Sequence, residues 1–321
     1  MNSAGGERAG LESRPEQGRV AILIPCHNEA TTVAAVVRDF KATLPGADVY
    51  VFDNNSSDAT ASEAAAAGAT VVREPRQGKG FVVQAMFRAV DADLYVMVDG
   101  DGTYPAEAAP RLIEPAVKGE ADMVVGSRLV AGTRSEFHPL NRLGNKLLRA
   151  LLNLAFSVRL TDVLSGYRVF SRRLVQALPL AGGGFEVEVE LTIKALQRGF
   201  AIREVPVDLR RRPAGSASKI RIVRDGLAIG WTILSLFRDY KPLTFFGGLG
   251  LVLALAGAVP GAGLFLDYAR TGAPPPLAHA LTCAGLFGAG IVLALVGLVL
   301  HAIARRFQEL EVSLERLRPR R

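Results

Sequence analysis

Residues 94–105 read LYVMVDGDGTYP: five apolar residues, then Asp99, Gly100, Asp101 and Gly102. An apolar run of this length that stops on acidic and glycine residues is the pattern of a buried strand ending at a polar edge. Two earlier stretches repeat it, VAILIPCHNE at 20–29 and DVYVFDNN at 48–55. Helical patterns lie between: one around Glu29 to Ala42, an alanine-rich one from Ser57, one over Gly80 to Val90 and one after Pro105. Ser57 and Asp58 are candidate N-caps, and Pro105 suits a first helical turn. With TVVRE and ADMVVGS as further strands, strand and helix alternate, which predicts an α/β domain with a mixed, mostly parallel Rossmann-like sheet covered on both faces.

In open α/β sheets ligands bind beyond the carboxyl ends of the strands. Three strands end there in polar clusters: Pro25 to Glu29, Asp53 to Asn55, and Asp99 to Asp101. Carboxylates converging with no basic partner repel, and a divalent cation bridging them to a diphosphate relieves that repulsion. Asp99 and Asp101 thus form a DxD pair for Mg²⁺ or Mn²⁺, with Gly100 and Gly102 letting backbone approach a phosphate. Gln77-Gly78-Lys79-Gly80 opens a helix and offers Lys79 and backbone N–H groups to phosphate; a plain helix entry is the alternative. No GxGxxG follows the first strand and no GxxxxGK[ST] occurs, which disfavours dinucleotide oxidoreductases and P-loop NTPases.

The chain has 321 residues, 49% of them apolar, two cysteines and four histidines. A disulfide framework and a Cys/His zinc site are therefore excluded. Residues 1–18, rich in Gly, Glu and Arg, read as a disordered lead. The last quarter is different: Pro242 to Leu266 and Leu277 to Ala304 carry no Asp, Glu, Lys or Arg over 25 and 28 residues. At about 1.5 Å per residue each crosses a hydrocarbon core of roughly 30 Å. They are read as a transmembrane hairpin, 242–304, with spans at about 243–266 and 278–304. Arg238 and Lys241 before it, and Arg305 and Arg306 after it, put both ends in the cytoplasm by the positive-inside rule. The expected organisation is a catalytic domain over 19–218, an amphipathic connector over 219–241, the hairpin, and a basic cytoplasmic tail over 305–321.

The net charge is +7. Cations gather at His138 to Arg159, read as a helix on an anionic membrane surface or a solvated helix packed on the domain, and at Leu209 to Arg224. Cations beside membrane spans already have lipid as a partner, so no nucleic acid is expected. A homo-oligomer stays open.

The ordered set PCHNE (25–29), Asp53, DGDGTYP (99–105), GSR (126–128), SGYR (165–168), EVP (204–206) and GSASK (215–219) resembles inverting family 2 glycosyltransferases. Within these it resembles the dolichol-phosphate-mannose-synthase-like group, over about residues 20–240. The resemblance implies a GT-A-like fold, a nucleotide sugar donor, UDP- or GDP-linked, and a polyprenyl or dolichyl phosphate acceptor at the membrane lipid. It implies that Pro25, Asn28, Glu29 and Asp53 hold the nucleoside, and that Asp99 and Asp101 bind metal and diphosphate. Arg128, Arg168 and Lys219 would meet the donor diphosphate or the acceptor phosphate, with Arg212 secondary. Glu190 falls near a family acidic residue, the alternative being a solvated helix face shared with Glu186. Asp53-Asn54-Asn55 replaces a frequent Asp-Asp run, which bears on sugar or base identity.

An acceptor phosphate is already an anion, so no general base is expected and catalysis rests on positioning and charge. A processive polysaccharide synthase would carry a QxxRW-type motif, but Trp231, the sole tryptophan, lies in GWTIL. A pyrophosphorylase has no use for the hairpin, and a silent membrane scaffold has no use for carboxylates at strand ends.

Overall fold

The computed structural model describes residues 18–129, 139–156, 158–180, 182–184, 186–210 and 222–317. These fall into two compact units. The first carries the sheet and ends at 210 among the described residues. The second groups 138–160 with the C-terminal helices.

In the first unit the elements are β1 (Val20–Cys26), α1 (Val33–Thr43), β2 (Asp48–Asp53), α2 (Thr60–Ala66), β3 (Thr70–Arg73), α3 (Lys79–Ala89) and β4 (Leu94–Met97). A 3₁₀ turn at Ala106–Ala108 precedes α4 (Ala109–Val117) and β5 (Met123–Ser127). The strands order as β3-β2-β1-β4-β6-β5-β7, where β6 is Arg168–Ser171 and β7 is Ile202–Pro206. All pairings are parallel except those of β6, which runs antiparallel to both β4 and β5. The sheet is mixed and mostly parallel, as the strand pattern predicts. Two helices between β6 and β7 complete the layers.

Alternate residues feed opposite faces. Ile22, Ile24, Val49, Val51, Val96 and Val124 pack with Val33, Val37 and Phe40 of α1 and Leu112 of α4. Ala21, Leu23, Phe52, Met97 and Val125 pack with Val82, Val83 and Met86 of α3 on the other face. Burial of each Leu, Ile or Val is worth about 1.5–3 kcal/mol, so a sheet apolar on both faces needs this double cover.

Caps differ from expectation in detail. α2 starts at Thr60, and Asp58 accepts its N–H at 3.0 Å. Pro105 precedes the 3₁₀ turn, and Pro110 occupies the first turn of α4 instead. The second unit opens with α5 (Pro139–Phe156). Back in the first lie α6 (Arg172–Ala177) and α7 (Val187–Gln197), and α8 (Ile222–Tyr240), α9 (Pro242–Thr271) and α10 (Leu277–Leu317) complete the chain.

In the second unit α5 packs on α8, with Phe156 edge-on to Phe237 at 6.2 Å. Pro242–Thr271 and Leu277–Phe307 are long and apolar enough to cross a membrane. α9 and α10 pair through close backbone approach: a Cβ on Gly250 would lie 2.6 Å from the carbonyl oxygen of Gly290. α10 does not stop at Ala304 but runs to Leu317, because ARRFQELEVSLERL contains neither Gly nor Pro to end it.

Candidate active site

The first two strand ends are stitched together. Asn28 Oδ1 accepts from the Ser57 N–H at 2.7 Å, the Asn28 N–H donates to Ser56 Oγ, and the Glu29 N–H donates to Thr60 Oγ1 at 2.8 Å. Asn28 and Asn55 hold positive φ, 52° and 56°, which asparagine tolerates better than other side chains. Asp53, 6% exposed, ends β2, in register with Cys26 of β1, and Pro25 lies half-buried beside it. Asn54 is a clasp: its Nδ2 donates to the Glu74 and Arg76 carbonyls and its Oδ1 accepts the Gly78 N–H at 2.8 Å. The first two polar strand ends and the loop into α3 therefore form one hydrogen-bonded edge.

At the third strand end, Asp101 Oδ1 accepts from the Thr103 N–H at 3.0 Å and from its hydroxyl at 2.7 Å. Gly100 is also required by packing against β1, since a Cβ there would clash with Cys26 Sγ. The expectation that these carboxylates lack a basic partner is corrected. Lys79 Nζ lies 2.6 Å from Asp99 Oδ1 and 2.6 Å from Glu188 Oε1. Burial acts against the Lys79 charge, and Asp99 and Glu188 more than offset it, holding the ammonium well above its usual range. Its helix entry is occupied as well: Gly78 N–H goes to Asn54 and Gly80 N–H to the Gly183 carbonyl at 3.1 Å.

Glu188, on α7, is the site carboxylate that the sequence reading missed. Glu190 is 4% exposed, so it is no solvated face: it pairs with Lys194 at 2.6 Å and accepts the Gly182 N–H. It fastens the segment that leads into α7.

Arg128 makes a fork onto Asp162, Nε to Oδ2 at 2.7 Å and an NH₂ to Oδ1 at 2.8 Å. Glu204 of the EVP motif accepts the Thr161 and Asp162 N–H groups, fixing the loop that presents Asp162. Burial opposes charge on both partners, yet Arg128 holds Asp162 below its usual range. Tyr104 OH accepts the Gly166 N–H at 3.1 Å and brings that loop against Asp99. Burial raises the Tyr104 phenol, which stays neutral.

Arg168 does not reach the site, contrary to expectation. It is 0% exposed, donating from Nε to the Ser165 carbonyl, from NH1 to Thr192 Oγ1 and from NH2 to the Val163 carbonyl, at 2.8, 2.8 and 2.6 Å. Burial lowers its pKa, and its work is to tie the SGYR loop to α7. Arg212 and Lys219 lie outside the described residues.

Among the described residues no three His, Cys, Asp or Glu side chains form a preformed metal cage. Among the described residues Asp99 Oδ2 accepts no hydrogen bond, and Asp101 is a second hard oxygen donor two residues on. One or two carboxylates, completed by substrate phosphates and water, are what Mg²⁺-type sites use. The residues present fit such an ion.

Acidic strand ends on a mixed, mostly parallel sheet are an arrangement that GT-A-type glycosyltransferases share. Residues 21–178 match the family model described as Glycosyl transferase family 2. Glycosyltransferase AglJ of Haloferax volcanii is 34% identical over 258 residues, 79% of this chain and 83% of that one. Undecaprenyl-phosphate mannosyltransferase of Micrococcus luteus is 30% identical, covering 66% of this chain and 96% of that one. Glucosyl-3-phosphoglycerate synthase from Mycobacterium tuberculosis, solved with Mn²⁺, UDP-glucose and phosphoglyceric acid, superposes with a TM-score of 0.56 at 26% identity, covering 68% and 80%. The chain belongs to glycosyl transferase family 2, in its dolichol-phosphate-mannose-synthase-like group, and is a glycosyltransferase.

Proposed function

We propose that the protein transfers a hexose-type sugar from a nucleotide diphosphate sugar, UDP- or GDP-linked, to a polyprenyl or dolichyl phosphate, inverting the anomeric carbon in one displacement. The observation that carries this reading is a DxD edge in a chain that also has two helices of membrane-spanning length. A soluble acceptor needs no such helices, whereas a polyprenyl tail stays in the bilayer and keeps its phosphate at the surface. The exposed residues Leu227, Trp231 and Leu234 lie at helical spacing on α8, giving it an apolar stripe suited to an interface.

Pro25, Asn28, Glu29 and Asp53 line the edge that takes the nucleoside, and Asp99 with Asp101 takes the diphosphate end. A divalent ion bound at Asp99 and Asp101, Mg²⁺ or Mn²⁺, would neutralise the departing nucleoside diphosphate. Lys219 and Arg212 are assigned to the acceptor phosphate from sequence alone, and Arg168 is removed from that role. Arg128 adds a fixed positive field near Asp99. An anionic phosphate attacks unaided, so positioned charge supplies the rate. The catalytic domain and both ends of the hairpin lie in the cytoplasm under the positive-inside rule.

The test is transfer by the detergent-purified chain from a panel of radiolabelled UDP- and GDP-hexoses to polyprenyl phosphate, with and without Mg²⁺ or Mn²⁺. Metal-dependent, lipid-extractable label with inverted configuration is expected. Nucleotide sugar turnover that never labels lipid, for any donor, overturns the acceptor.

A further inference from the structure

We propose that Lys79 is a resident counter-cation of the carboxylate site, holding Asp99 against Glu188 in the donor-free protein and competing there with the divalent ion. The inference rests on the reading of Asp99 as a metal ligand and deepens it.

Two carboxylate oxygens, one from β4's end and one from α7, each lie 2.6 Å from the same nitrogen. The ammonium therefore sits against Asp99, the carboxylate shared with the ion held at Asp99 and Asp101, and places a like charge at that ion's own ligand. The three side chains are 12%, 27% and 5% exposed, which leaves little water to screen them. Among the described residues, Arg128 is committed to Asp162 and Arg168 to backbone carbonyls and Thr192.

The consequence concerns the order of events. Without a donor, an ion approaching Asp99 meets an ammonium already bound, and like charges at contact range disfavour each other strongly. A nucleoside diphosphate changes the balance, because its oxygens offer Lys79 an alternative anion and supply the ion's remaining ligands. The donor-free protein should therefore bind metal weakly, with metal and nucleotide entering together. Glu188 anchors the ammonium when Asp99 lets go, which gives a buried acid on α7 a role at the site.

The experiment is Mn²⁺ binding to the full chain in detergent, read as free Mn²⁺ by electron paramagnetic resonance, without nucleotide and then with UDP or GDP. A neighbouring charge moves a cation equilibrium by about one to three decades. Lys79→Gln should thus lower the nucleotide-free Mn²⁺ Kd by about tenfold or more, while Lys79→Arg, which keeps the charge, stays near wild type. The gain in affinity on adding nucleotide should shrink in Lys79→Gln. A clamp that merely preorganises the carboxylates predicts weaker Mn²⁺ binding in Lys79→Gln, and that result, or no change, overturns the proposal.

If Lys79→Gln does not fold, as circular dichroism will show, the Lys79→Gln/Glu188→Gln double variant removes both buried charges. It should bind Mn²⁺ at least as tightly as wild type, and weaker binding overturns the proposal. Wild-type protein that binds no Mn²⁺ even with UDP or GDP overturns the metal site itself. Normal nucleotide-supported binding without the Lys79→Gln effect overturns only the counter-cation.

Discussion

Gly166 stands closer to Asp99 than any residue with a side chain could: a Cβ at Gly166 would lie 2.2 Å from Asp99 Oδ2. The loop of SGYR is pressed there by Tyr104, whose hydroxyl accepts the Gly166 N–H. Gly166→Ala must therefore push Asp99 or the loop aside. Overpacking costs about 1–3 kcal/mol and a misplacement near 1 Å can cost about 100-fold in rate. The expected result is a modest fall in melting temperature with a loss of transfer near that size. Wild-type turnover would mean that Asp99 does not have to stay where it is.

Asp101→Asn should abolish most transfer while leaving the fold. The amide oxygen can still accept from Thr103, so the local turn survives, and only charge is lost. Transfer should drop by about 100-fold or more, the scale of removing one preorganised electrostatic group. Near wild-type turnover at limiting Mn²⁺ would remove Asp101 from the metal site.

The strand ends were legible because apolar runs that stop on Asp or Asn leave little choice of edge, and β1, β2 and β4 carry such runs. Lys79, Asp99 and Glu188 were not legible as a group, because their contact depends on where α7 docks. In EVEVE both Glu188 and Glu190 are buried on a helix enclosed on all sides, which no amphipathic pattern reveals. Arg168 misled for a physical reason: a charged residue in a short motif suggests a ligand, yet it opens β6, hydrogen-bonded to strands on both sides. The apolar Val169 and Phe170 that follow were the available signal for an interior position.

Arg168→Met tests its structural role. The change keeps an apolar stem but leaves the Ser165 and Val163 carbonyls and the Thr192 hydroxyl without their donor. Unsatisfied buried polar groups cost about 1–3 kcal/mol each, so a large fall in melting temperature is expected. Donor affinity of the fraction that stays folded should match wild type. A stable variant with selectively weakened diphosphate binding would restore Arg168 to the anion site.

Asp162 makes stability depend on acid. Burial works to raise its pKa, but Arg128 and the hydrogen bonds around it prevail and the folded value is depressed. Its contribution is present above the unfolded aspartate pKa of about 3.9 and is lost as pH falls through the lower folded value. Melting temperature should hold near neutrality and fall below about pH 4, where Asp162 begins to lose it. Asp162→Asn, which removes the carboxylate charge of a buried pair, should cost about 3–5 kcal/mol at pH 7 and flatten the acid-side fall. An unchanged acid profile would show that other carboxylates govern it.

The last expectation separates the sheet unit from the membrane helices. The sheet has its own two-faced core, and α5 and α8 pack on each other without needing α9 or α10 for that contact. A chain ending after Tyr240 should therefore fold and bind its donor nucleotide with wild-type affinity. It should still adsorb to anionic vesicles, because α8 exposes Leu227, Trp231 and Leu234 and α5 exposes Leu154 on a helix that also carries Lys146 and Arg149. Cationic contributions near about 1 kcal/mol per residue are screened within a Debye length of about 10 Å at 0.1 M salt. Vesicle flotation should thus weaken as salt rises, and weaken further in Trp231→Ser. Insoluble protein without nucleotide binding would show that α9 and α10 are part of what the catalytic unit needs to fold.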